Sequence, residues 1–238
     1  MSTMTAPNRT GIAQRYRYED LRALMTRMTG DEKHSSSATS TLDVLWVLYD
    51  RVLRVTPSTM DDPDRDRFLL SKGHGPMAYY AVLVAKGFIP REWLETFGQL
   101  DSSLGYHPDR VLVPGAEISS GSLGHGLPIA VGVALGQRSQ GARGRTYVLV
   151  GDAELDEGTN HEAIAYAGAT GLEGLTVIVV DNQSATHGWP RGIAARFSVN
   201  GWSTATVDGR DHEALEAVLA KPVPGRPHVV VAVVEPKE

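Results

Sequence analysis

Apolar residues recur at helical spacing in the first part of the chain. Leu21, Leu24, Met25 and Met28 share one face of a helix, and Leu42, Leu45, Trp46 and Tyr49 repeat the pattern after a polar run over residues 34–41. The pattern predicts two amphipathic helices joined by a Ser/Thr-rich loop. Residues 68–70 form a short apolar run ending in Ser71-Lys72-Gly73-His74, a strand feeding a helix that carries Met77, Tyr80, Ala81 and Val84. Residues 147–150, 175–180 and 229–234 are short β-branched runs, continuous rather than alternating, as strands buried on both faces are. Helical segments separate them. The expected fold is α/β, with a mostly parallel central sheet flanked by helices and ligands beyond the C-terminal ends of its strands.

Composition narrows this picture. A chain of 238 residues that is 42% apolar has enough core for one large domain, expected over 1–238 with residues 1–14 as a flexible N-terminus. The net charge of −5, with both signs scattered, offers no basic stripe for nucleic acid. The absence of cysteine excludes a disulfide framework, a thiolate nucleophile and a Cys-based zinc site, so a metal here needs oxygen or imidazole ligands. The N-terminus carries no apolar run of signal-peptide length, and no window approaches the roughly 18 apolar residues of a membrane span. The expectation is a cytoplasmic protein with no membrane contact.

Polar clusters stand at the strand ends. Gly151-Asp152-Ala153-Glu154 follows one strand and Asp181-Asn182-Gln183-Ser184 the next. Asp152 and Asn182 are 30 positions apart (182 minus 152), enough for the crossover that returns both ends to the same sheet edge. A carboxylate and an amide oxygen meeting there suit Mg²⁺ or Ca²⁺, and a hard cation so held commonly carries a diphosphate.

Read together, GDAELDEG from Gly151, NHEA through Glu162 and Ala163, and VVDNQ ending at Gln183 resemble the thiamine diphosphate signature of the transketolases. Four further segments agree in order and spacing. Ser71-Lys72-Gly73-His74 resembles the family's SKGH or SNGH turn, Gly105 to Pro108 its G-HP segment, and Gly121-Ser122-Leu123-Gly124-His125-Gly126 its GSLGHG loop. Gly201-Trp202 and Asp208-Gly209 with His212 resemble its GW...DGHD stretch, and His34, nine positions before Asp43, falls at the His of GHPGG. The resemblance covers residues 15–235.

It implies a three-layer thiamine diphosphate-binding fold and a set of roles. Asp152, the side chain of Asn182 and the main-chain carbonyl of Ser184 resemble the metal ligands. His74, Gly121, Ser122, Leu123, Gly151, Asp152, Ala153, Glu154 and Asn182 resemble the cofactor contacts. His34, His74 and His107 resemble the catalytic histidines, whose imidazoles suit proton handling near neutral pH. Glu157 and Glu162 resemble the acidic residues that link active sites across a dimer interface. The implied activity is that of a transketolase N-terminal subunit, using thiamine diphosphate and Mg²⁺ (or Ca²⁺) to pass a two-carbon ketol unit between sugars or sugar phosphates. The family's second domain is expected on a separate C-terminal subunit, in an A₂B₂ heterotetramer. Two other readings stay open: part of a different thiamine diphosphate enzyme, for acyloin formation or 2-oxo-acid decarboxylation, and a non-catalytic scaffold.

The chain departs from the family in places. GHPGG is replaced by His34-Ser35-Ser36-Ser37-Ala38, and GDG by Gly151-Asp152-Ala153. After Asn182 the family has an aliphatic residue and then an aspartate, where this chain has Ser184 and His187. Plainer readings also apply: Asp152 alone reads as a helix N-cap, His125 and His161 as structural, and Glu162 as a solvated helical residue. The run Asp61, Asp62, Asp64 and Asp66, interleaved with arginines, reads as a solvated loop.

Overall fold

A computed structural model of the chain describes residues 16–29, 35–221 and 223–236. Its sheet runs β1 (Arg67–Leu70), β2 (Thr146–Gly151), β3 (Leu175–Asp181), β5 (His228–Val233) and β4 (Ser203–Asp208) in spatial order, and every neighbouring pair is parallel. Helices α1 (Asp20–Met25), α2 (Ser35–Val47), α3 (Met77–Ala85) and α7 (His212–Leu219) pack on one face. Helices α4 (Gly126–Gln140), α5 (Gly158–Ala169) and α6 (Gly192–Ser198) pack on the other. Strands β2, β3 and β5 are the three continuous β-branched runs, and they are buried almost throughout because helices cover both sides. Alternate residues serve opposite layers: Tyr147, Leu149, Ile178 and Val230 join one core, and Val148, Val150, Val177 and Val179 the other. No helix among the described residues is long and apolar enough to cross a membrane.

Three details differ from the sequence expectations. Strand β4 was not evident in the sequence: as an edge strand with one neighbour it alternates between half-buried and exposed positions, and its Ser, Thr and Ala residues give only a weak signal. Most of the polar run 34–41 is helix rather than loop, since α2 begins at Ser35. Its buried hydroxyls are satisfied one turn back, Ser40 Oγ donating to Ser37 O at 2.8 Å and Thr41 Oγ1 to Ala38 O at 2.9 Å, so a Ser/Thr-rich segment can enter the core. His34 and residues 1–14 lie outside the described residues.

The third difference is Asp66, which is 2% exposed rather than solvated. Its Oδ2 accepts from Arg54 N at 2.9 Å, and its Oδ1 from Arg145 N at 2.8 Å and Arg54 Nη2 at 2.9 Å. Asp64 likewise holds Arg143 N at 2.7 Å. These carboxylates sew the entry of β1 to the entry of β2, which sets the register that brings Leu70 opposite Leu149 at the far end. Replacing Asp66 with Ala leaves two main-chain N–H groups unpaired, so Asp66→Ala is expected to lower unfolding free energy by about 2–4 kcal/mol; a denaturant titration measures it, and an unchanged midpoint would contradict the seam.

Candidate cofactor and metal site

The parallel register lines up Leu70 with Leu149 and Gly151 with Val180, so the segments leaving β1, β2 and β3 open on one edge of the sheet. Asp152 extends the ladder by one step, its N–H donating to Val180 O at 3.2 Å. Its carboxylate is 2% exposed and meets the turn that follows β3. Ser184 N and Ala185 N donate to Oδ2 at 2.7 and 3.1 Å, and Ser184 Oγ donates to Oδ1 at 2.6 Å. In the same turn Asn182 is 3% exposed, and its Oδ1 is buried without a hydrogen-bond partner. The turn curls back because Gln183 adopts a left-handed conformation, φ 56°.

An unsatisfied buried amide oxygen costs about 1–3 kcal/mol. A cation would supply what it lacks. The Asp152 carboxylate and the Asn182 amide oxygen are hard-oxygen donors of the kind that fits Mg²⁺ or Ca²⁺. Among the described residues no three His, Cys, Asp or Glu side chains gather to hold a metal.

Glu154 organises the surrounding segments. It is 1% exposed, and its Oε1 accepts from Ser71 Oγ and, at 3.0 Å, from Gly124 N, while Oε2 accepts from Gly151 N at 3.2 Å. Ser71 Oγ in turn accepts from Gly126 N at 3.0 Å. A Cβ at position 126 would overlap Ser71, so only glycine lets the two segments approach this closely. Burial pushes the Glu154 carboxyl up from the usual carboxylate range, against the pull of its three donors and of Lys72. Oε1 accepts two donors and Oε2 one, so the carboxylate holds together the segments that carry Ser71, Gly124 and Gly151.

Of the histidines, His107 is exposed and rests on Gly121: a Cβ there, at φ 149°, would lie 3.2 Å from His107 Cδ2. His74 follows Gly73, where a Cβ would come within 2.8 Å of Ser120 Cβ. The turn carrying His74 and the ring of His107 therefore both border the segment 120–121. The loop bearing His107 is anchored from the core, Tyr80 Oη donating to Gly105 O at 2.9 Å and Tyr79 Oη to Gly115 O at 3.0 Å. Gly121 and Ser122 are exposed, Leu123 and Ala153 half-buried, and Gly151 buried. Glu157 and Glu162 are exposed, one before α5 and the other a turn into it, and Glu157 packs against Gly124, where a Cβ would lie 2.5 Å from the Glu157 Cβ.

Two residues went unmarked as site residues in the sequence. Lys72 is 5% exposed, and its Nζ donates to Ser37 O at 2.8 Å, Ser37 Oγ at 2.6 Å and Ser40 Oγ at 3.4 Å, fixing the first turn of α2 to the turn that carries His74. A lysine between Ser71 and Gly73 in a strand-end motif was the available signal. Trp189 lies against Arg196, the guanidinium 3.9 Å from the ring centroid, with the His161 ring 5.2 Å away on α5. It pins the loop that begins at Ser184 to α5 and α6, and nothing in the local sequence announces that stack.

With this geometry in view, the chain matches the family described as transketolase, thiamine diphosphate binding domain, over residues 19–233. It is 57% identical over 220 residues to a protein of Rhodococcoides fascians named ferredoxin fas2, covering 92% of this chain and 72% of that protein. None of the 238 residues here is cysteine, so this chain offers no thiolate to an iron–sulfur cluster. It is 37% identical over 206 residues to an apulose-4-phosphate transketolase subunit of Actinobacillus succinogenes, covering 84% of this chain and 75% of that protein. Among solved structures, a transketolase of Pichia stipitis in complex with fructose 6-phosphate superposes with a TM-score of 0.80 at 28% identity, over 91% of this chain and 35% of that one. The chain thus spans about a third of the solved transketolase.

Glu154→Gln turns an amide N–H₂ toward either Gly151 N–H or Gly124 N–H. It is expected to lower unfolding free energy by about 1–3 kcal/mol. Combined with Ser71→Ala, the loss should fall short of the sum of the single changes, because both residues serve one network; strict additivity in denaturant titrations would argue against the staple.

Proposed function

This chain belongs to the transketolase family through its thiamine diphosphate-binding domain, and we propose that it is a single-domain N-terminal subunit that works with a separate C-terminal transketolase subunit. The relative of similar extent from Actinobacillus succinogenes is named for one component of a transketolase, which supports a division of the enzyme between two chains. An A₂B₂ heterotetramer follows if the family's two-fold pairing of active sites is kept, with the exposed Glu157 and Glu162 at the contact between the two copies of this chain.

The observation that carries this reading is the closure of the Asn182–Ser184 turn on Asp152, with Asn182 Oδ1 left buried and unpartnered beside it. Asp152, Asn182 Oδ1 and the Ser184 carbonyl would hold Mg²⁺, or Ca²⁺ in its place, and the cation would carry the diphosphate. The segments at Gly121, Ser122, Leu123, Gly151 and Ala153, with His74, would complete the anion cradle, the Gly151 N–H itself being held by Glu154. Bound thiamine diphosphate supplies an electron sink that lets a ketose C–C bond break and a two-carbon ketol unit pass to an aldose. The protein's own part is to hold this assembly away from water and to move protons at the sugar hydroxyls through His34, His74 and His107. The substrates are sugars or their phosphates, and the setting is carbohydrate metabolism in the cytoplasm.

Calorimetric titration of thiamine diphosphate with Mg²⁺, into the chain alone and co-expressed with the neighbouring reading frame, tests the reading. Binding is expected to appear or tighten with the partner, to vanish on chelation of the metal, and to vanish in Asp152→Ala. Failure to bind in every combination would make a non-catalytic scaffold the better account, and product analysis of an active complex would separate ketol transfer from acyloin formation or decarboxylation.

A further inference from the structure

We propose that the side chain of Ser184 is a positioning residue of the metal site, its hydroxyl fixing the orientation in which Asp152 meets the cation. The inference rests on the metal reading above and concerns a different atom from the main-chain carbonyl assigned there.

A carboxylate has about four acceptor positions. At Asp152 three are taken by one turn: Ser184 N and Ala185 N on Oδ2, and Ser184 Oγ on Oδ1 at 2.6 Å. The two N–H donors alone hold a single oxygen and leave the group free to rock about its terminal torsion, which is broad for Asp. The hydroxyl supplies the second point of attachment, so the remaining acceptor direction is fixed in space. A cation shared with Asn182 Oδ1, which is buried and without a partner, would need the Asp152 carboxylate held still in this way. The turn is held from elsewhere, so the hydroxyl is not free to wander: Gln183 is left-handed, and Trp189 is fixed against Arg196. An aliphatic residue at position 184, which the family resemblance leads one to expect, has no such donor. The serine is therefore a feature of this chain's own site, and hydrogen bonds to ligating carboxylates are worth about 10- to 100-fold in metal affinity.

The test is Mg²⁺ titration by calorimetry at saturating thiamine diphosphate, on the full chain in the state that binds, alone or with its partner, for the wild type, Ser184→Ala, Ser184→Thr and Asp152→Ala. The expected result is a rise in the Mg²⁺ Kd of about 10- to 100-fold in Ser184→Ala, recovery toward the wild-type value in Ser184→Thr, which keeps the hydroxyl, and no binding in Asp152→Ala. Unfolding midpoints of the metal-free proteins separate positioning from a purely structural role, which would lower the midpoint of Ser184→Ala and leave its affinity unchanged. An unchanged or tighter Kd in Ser184→Ala, or no recovery in Ser184→Thr, overturns the inference while leaving the metal site standing. Failure of the wild type to bind Mg²⁺ overturns the metal site itself.

Discussion

The buried carboxylate of Glu154 is the contact through which the candidate site is assembled. Removing a carboxylate from water costs several kcal/mol unless donors replace the lost hydration. Here the donors come from three separate segments, after β1, before α4 and at the end of β2. The cost of burying the charge is thus tied to closing the cradle: if any one segment moves away, the carboxylate loses a donor and burial becomes less favourable. Lys72 does the same from the other side, its buried ammonium held by Ser37 and Ser40 at the start of α2. Opposite charges anchored at the ends of β1 and β2 stabilise each other through an interior of low dielectric, and Lys72 pulls the Glu154 carboxyl toward its ionised form.

The parallel sheet gives this cluster its location. Each strand end is brought to the same edge by a crossover, so residues far apart in sequence come together without a long loop. Asp152 and the turn after β3 meet because Gly151 pairs with Val180. The same register places Ser71 within reach of Glu154, and it is maintained at the opposite end by Asp66 and Asp64, which tie the entries of β1 and β2. A site at one edge of the sheet therefore depends on charges at the other, although they never touch.

Such an arrangement suits a thiamine diphosphate-binding domain. It combines a buried, unpartnered amide oxygen beside a turn held by Asp152, glycine segments packed closely on their neighbours, and a loop pinned by Trp189 on Arg196.

Much of this was legible in the order of residues. Strands β2, β3 and β5 are continuous β-branched runs because helices bury both their faces, and that requirement is written into every position. That the segment leaving β3 returns to Asp152 was legible from spacing, because the length of a crossover limits which strand ends can meet. Strand β4 and the first turns of α2 were not, since an edge strand needs only one apolar face and a buried Ser/Thr helix is permitted only by hydroxyls that bond back to their own carbonyls. Nor could the sequence reveal that Asp66 is buried, that Glu154 ties three segments together, or that the Ser184 hydroxyl reaches Asp152. A charged or polar side chain has the same letter whether water or a main-chain N–H satisfies it, and only the tertiary structure decides which.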